Sequence, residues 1–73
     1  MSSVSNALRI LDLIGDDTGL RVVEVARYLG VADSTAHRLL TALRESGYVT
    51  QRQGSARYEV GPAALRLARR LNT

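Results

Sequence analysis

A chain of 73 residues has room for one domain and one core, and at that length folding buries only about 60% of the surface an unfolded chain exposes. An apolar fraction of 45% argues for a folded globule, and the absence of cysteine removes both a disulfide framework and a thiolate metal site. The net charge of +3 suits a polyanionic partner without specifying one, because the exclusive use of arginine for all 10 basic residues fits a G+C-rich genome as well as phosphate binding. No apolar run reaches the roughly 18 residues of a membrane-spanning helix. The start, Met1-Ser2-Ser3-Val4, also lacks the charged and apolar regions of a signal peptide, so a cytoplasmic location off the membrane is expected.

Along the chain, Val4, Ala7, Leu8, Leu11 and Ile14 fall at helical spacing within about a 120° arc, with Ser3 or Ser5 available as a cap. Ile10 and Leu13 widen the apolar surface beyond that arc, which assigns them to a contact with a second copy, in a homodimer or higher oligomer. The turn formers Gly15-Asp16-Asp17-Thr18-Gly19 end this helix, and Leu20-Arg21-Val22 can pair briefly as a strand. A second helix places Val22, Val25, Ala26 and Leu29 on one face and stops at Gly30, although Val23 stands where a capping Ser or Thr would be better. Three residues on, a third helix presents Ala36, Leu39, Leu40 and Leu43 on one face and ends at Gly47.

The period then changes from 3.6 to 2. Tyr48 to Gln53 and Ala56 to Val60 read as strands around a Gly54-Ser55 turn, with Tyr48 and Tyr58 half-buried in the sheet. Gly61-Pro62 starts a fourth helix carrying Ala64, Leu65, Ala68 and Leu71 as an apolar stripe. The predicted fold is mainly α with a small β-hairpin: helix, short strand, helix, turn, recognition helix, two-stranded wing, C-terminal helix. It makes residues 1–73 a single winged helix-turn-helix domain.

In this order the third helix turns Ser34, Arg38 and Thr41 outward, with His37 beside them. The major groove admits one helix and presents base-edge acceptors that an arginine fork can bind, so this face is the expected reader of duplex DNA. Asp33 suits the positive end of the helix dipole, and the backbone N–H groups near Ser34 and Thr35 are placed to bind a phosphate oxygen. Arg52 and Arg57, one on each strand, are expected to reach the flanking backbone or minor groove, and Tyr28 on the outer face of the second helix to touch phosphate. The alternative, a winged helix that docks only on another protein, would want an apolar outer face on the third helix, which Ser34, Arg38 and Thr41 do not provide.

The segments Glu24-Val25-Ala26, Gly30-Val31, Ser34-Thr35-Ala36-His37-Arg38-Leu39-Leu40, Leu43, Gly47-Tyr48-Val49 and Tyr58-Glu59-Val60-Gly61-Pro62 together resemble the DNA-binding half of IclR (isocitrate lyase regulator) transcriptional regulators. The resemblance runs from about Val4 to Leu71, and Val23 and Ala32 depart from it at positions that touch stability. It implies a homodimeric bacterial repressor or activator whose third helix enters the major groove of an operator. It also implies that the fourth helix leads to a larger domain through which alone a small-molecule effector would act. Neither enzyme activity nor a cofactor is expected: the carboxylates are scattered, Ser34, His37 and Asp33 share one helix in the wrong geometry for a triad, and a single His with no Cys makes no metal site.

Overall fold

The computed structural model describes residues 2–15 and 19–72. Asp16, Asp17 and Thr18 of the expected turn lie outside the described residues, as do Met1 and Thr73. The elements run α1 (Ser3–Gly15), α2 (Val22–Leu29), α3 (Asp33–Glu45), β1 (Val49–Gln51), β2 (Tyr58–Val60) and α4 (Pro62–Leu71), the order expected for a winged helix.

Helix α1 begins where the Ser2 hydroxyl accepts the Ser5 N–H at 3.1 Å, so the cap is Ser2, one residue ahead of the expected start. Its buried face is Asn6, Ile10 and Ile14, while Val4 and Leu8 are 69% and 58% exposed. This corrects the expectation for Ile10, which has no exposed surface and belongs to the core, where a second copy cannot touch it; Leu13 is partly buried against that same core and keeps part of its surface. A helix apolar over most of its circumference does not choose its own inner face; the packing of α2, α3 and β2 against it does.

The Arg21 N–H donates to the Glu24 carboxylate at 2.8 Å, which makes Arg21 the cap of α2 and Val23 its second helical residue. The helix buries Val25, Ala26 and Leu29. Gly30, at φ 72° and ψ 36°, closes it in the left-handed conformation that glycine adopts without a Cβ clash. Only Gly30, Val31 and Ala32 separate α2 from α3, which seats Ala36 and Leu40 in the core beneath it.

The strands pair antiparallel, with Val49 opposite Val60, Thr50 opposite Glu59 and Gln51 opposite Tyr58. They are shorter than expected because regular pairing stops at Gln51 and Tyr58. Beyond these, Arg52 to Ser55 form a turn in which the Ser55 N–H donates to the Arg52 carbonyl at 2.9 Å. The short strand expected around Leu20 is a single bridge to Tyr58, with N–H to carbonyl distances of 3.0 and 2.7 Å. Held between Leu20 and Gln51, Tyr58 is buried and not half-exposed as expected.

Helix α4 begins with Pro62, as its fixed φ favours, but buries only Ala63. Leu65, Leu67 and Leu71 are exposed. The start of α4 is pinned by two backbone bonds to the loop that follows α3, Gly61 N–H to Tyr48 carbonyl at 2.9 Å and Ala63 N–H to Gly47 carbonyl at 2.8 Å.

Candidate nucleic-acid interface

With Ala36 and Leu40 holding α3 to the core, the 3.6-residue period exposes Ser34, His37 and Arg38. Asp33 is the first residue of the helix and is exposed. Thr35 is half-buried, and its N–H already donates to the Ala32 carbonyl at 3.1 Å, so that amide is not open to a phosphate as expected. Thr41 is corrected more strongly: the residue is half-buried, and its hydroxyl oxygen is buried without a hydrogen-bond partner, out of reach of a base edge in this conformation. A helical wheel places Thr41 outward because it ignores what packs over the flank.

The hairpin arginines are both engaged within the domain. Arg52 reaches Glu59 at 3.3 Å across the hairpin. Arg57 donates to the Gly19 carbonyl at 3.0 Å and lies 3.9 Å from the Glu24 carboxylate, tying the hairpin back to the segment ahead of α2. Tyr28 is exposed, but Arg9 of α1 stacks over its ring at 5.2 Å and donates to its carbonyl at 3.5 Å, so it braces α1 against α2.

Between the start of α2, one flank of α3 and the hairpin lies a cleft of about 410 Å³, lined by Arg21, His37, Arg44 and Gln51 among others. Arg44 donates to the Gln51 side-chain carbonyl at 2.9 Å. A wheel of the outer face of α3 alone misses Arg21, Arg44 and Gln51. A signal for Arg44 is present in the sequence, because His37 and Arg44 are seven residues apart and so lie two turns apart on one face of α3. On the opposite flank a smaller hollow of about 170 Å³ is lined by Ser3, Thr35, Arg38 and Leu39. Among the described residues no group of three His, Asp or Glu could hold a metal ion, and no helix is long and apolar enough to cross a membrane.

Two helices joined by a three-residue turn, a polar outer face on the second of them and an antiparallel hairpin alongside define a winged helix-turn-helix module. Within that class the chain belongs to the IclR family: the IclR helix-turn-helix domain matches residues 3–53. The HTH-type transcriptional regulator XynR of Escherichia coli (strain K12) is 36% identical over 62 residues, which are 84% of this chain and 25% of XynR. The crystal structure of an IclR transcriptional regulator from Alicyclobacillus acidocaldarius superposes with a TM-score of 0.87 at 32% identity, over 94% of this chain and 28% of that one. The chain therefore spans about a quarter of the length of these relatives. The Zα domain of Cyprinid Herpesvirus3 ORF112, whose structure gives its binding mode to Z-DNA, superposes with a TM-score of 0.74 at 27% identity, over 82% of this chain and 97% of that domain.

Proposed function

We propose that this chain is the DNA-reading domain of a homodimeric bacterial transcriptional regulator, binding duplex DNA sequence-specifically with α3 in the major groove and the hairpin beside the flanking backbone or minor groove. The observation that carries this reading is the exposure of Ser34, His37 and Arg38 on a helix anchored from behind by Ala36 and Leu40. Short polar side chains let the helix backbone approach base edges, and Arg38 supplies the fork that matches guanine. XynR, named as a transcriptional regulator, is consistent with the regulatory role, and the Zα domain, described with Z-DNA, supports nucleic-acid binding by this fold. Dimerism is supported by apolar surface that the single core leaves uncovered, Val4 and Leu8 on α1 and Leu65, Leu67 and Leu71 on α4. Response to an effector belongs, in this reading, to a following domain corresponding to the rest of the longer relatives.

The test is selection of bound sequences from a randomised duplex library, followed by titration of the enriched and random duplexes at matched salt. Enrichment of a pseudo-palindromic site with tighter binding than random duplex is the expected result. Failure to bind any duplex at about 50 mM salt, where phosphate contacts are strong, would overturn it in favour of a protein-docking winged helix.

A further inference from the structure

We propose that Arg21 and Arg44, with His37 in the same cleft, form the clamp that grips the DNA backbone beside α3, a role that the hairpin arginines do not fill. This inference deepens the duplex-binding reading and rests on it.

The cleft lies between the flank of α3 and the hairpin; with α3 in a groove and the hairpin beside it, a sugar-phosphate strand would pass along this side of the domain. Arg21, His37 and Arg44 line it beside Gln51 and apolar side chains of α2 and the hairpin, and among the described residues no carboxylate does. Glu24, the acidic residue of α2, is occupied by the Arg21 N–H at 2.8 Å and lies 3.9 Å from the Arg57 guanidinium. The difference between the two sets of arginines is in their partners. Arg52 is paired with Glu59 across the hairpin, and Arg57 is held by Gly19 and Glu24.

Arg44, by contrast, bonds the neutral side chain of Gln51, which fixes its direction and leaves its charge uncompensated among the described residues. Gln51 takes one of five guanidinium N–H donors, so a two-pronged bond to a phosphate remains open. Arg21 is exposed, and among the described residues its guanidinium enters no ion pair. A phosphate entering here meets two unneutralised arginines from two separate elements, α3 and the residue capping α2, and such a contact carries affinity without sequence preference.

The experiment is the slope of log affinity against log salt for a random duplex and for the duplex enriched by selection, using the chain and its Arg21→Ala, Arg44→Ala, Arg44→Lys and Arg52→Ala variants. Removing one neutralised phosphate from a complex with duplex DNA should flatten the slope by about 0.9 per bound domain. Arg21→Ala and Arg44→Ala should show that change and weaken both duplexes by the same factor. Arg44→Lys, which keeps the charge, should retain the slope, and Arg52→Ala should leave it unaltered. Parent slopes in both alanine variants, with the parent still binding duplex, would overturn the clamp and leave the duplex-binding reading standing. A loss confined to the enriched duplex in Arg44→Ala would also overturn it, because Arg44 would then be reading bases. A parent chain that binds no duplex would overturn both.

Discussion

Arg38 stands exposed on α3, opposite Ala36 and Leu40, and base reading is tested most directly there. Arg38→Ala should weaken binding to the preferred duplex by about 1–3 kcal/mol and relax the preference at one base pair. Titration against duplexes that vary one pair at a time checks this, and a uniform loss across them would make Arg38 a phosphate contact. Ile10 calls for the opposite readout, because it is fully enclosed. Ile10→Ala should cost about 2–5 kcal/mol, a large share of the roughly 4–11 kcal/mol expected for a chain of this length. Urea unfolding at low and high protein concentration should show the same loss. A loss that grows with protein concentration would place Ile10 at an interface between copies instead.

At the scale of elements, the joint between the loop after α3 and the start of α4 brings two backbone segments into close contact. A Cβ placed on Gly61 would run into the Gly47 carbonyl oxygen and sit 2.9 Å from the Tyr48 carbonyl carbon and the Val49 nitrogen. These are backbone atoms that no side-chain rotation can move aside, and the same segment carries the two bonds that seat α4. Gly61→Ala should therefore destabilise the domain by about 1–3 kcal/mol in thermal or urea unfolding. A melt unchanged from the parent would show that α4 shifts freely and is not pinned here. The hairpin is fastened differently. Through Leu20, Tyr58 and the Arg57 bond to Gly19 its base is tied to the segment ahead of α2.

For the whole molecule, the exposed large apolar side chains lie on α1 (Val4 and Leu8), α2 (Val23 and Tyr28) and α4 (Leu65, Leu67 and Leu71), and Ile10 is not among them. Leu8 is more than half exposed, and replacing it leaves the core intact. Leu8→Glu should shift sedimentation equilibrium toward monomer while leaving the unfolding free energy of the monomer within about 0.5 kcal/mol, the range of surface substitutions. Equal dimerisation by the variant and the parent chain would place the interface elsewhere, with the α4 leucines as the next surface to test.

Periodicity and punctuation were enough to read the element order, the Gly30 and Gly47 stops, the Pro62 start and the exposure of Ser34, His37 and Arg38, because these depend on residues within a turn or two of one another. The IclR-like spacing was legible for the same reason, and the match over residues 3–53 agrees with it. Helix α1 was not legible in the same way. Val4, Leu8, Ile10 and Leu13 are all apolar, and only the neighbours packed against α1 decide that Ile10 is inside and Leu8 outside. Nor did local pattern reveal that the Thr41 hydroxyl is buried, that Glu59 and Gly19 hold Arg52 and Arg57, or that Arg21 and Arg44 converge on one cleft. Arg57 and Gly19 are 38 positions apart, and Arg21 and Arg44 come from different helical segments. Burial and charge pairing are set by groups brought together across such distances, and helical period, which relates only neighbours along one segment, carries no information about them.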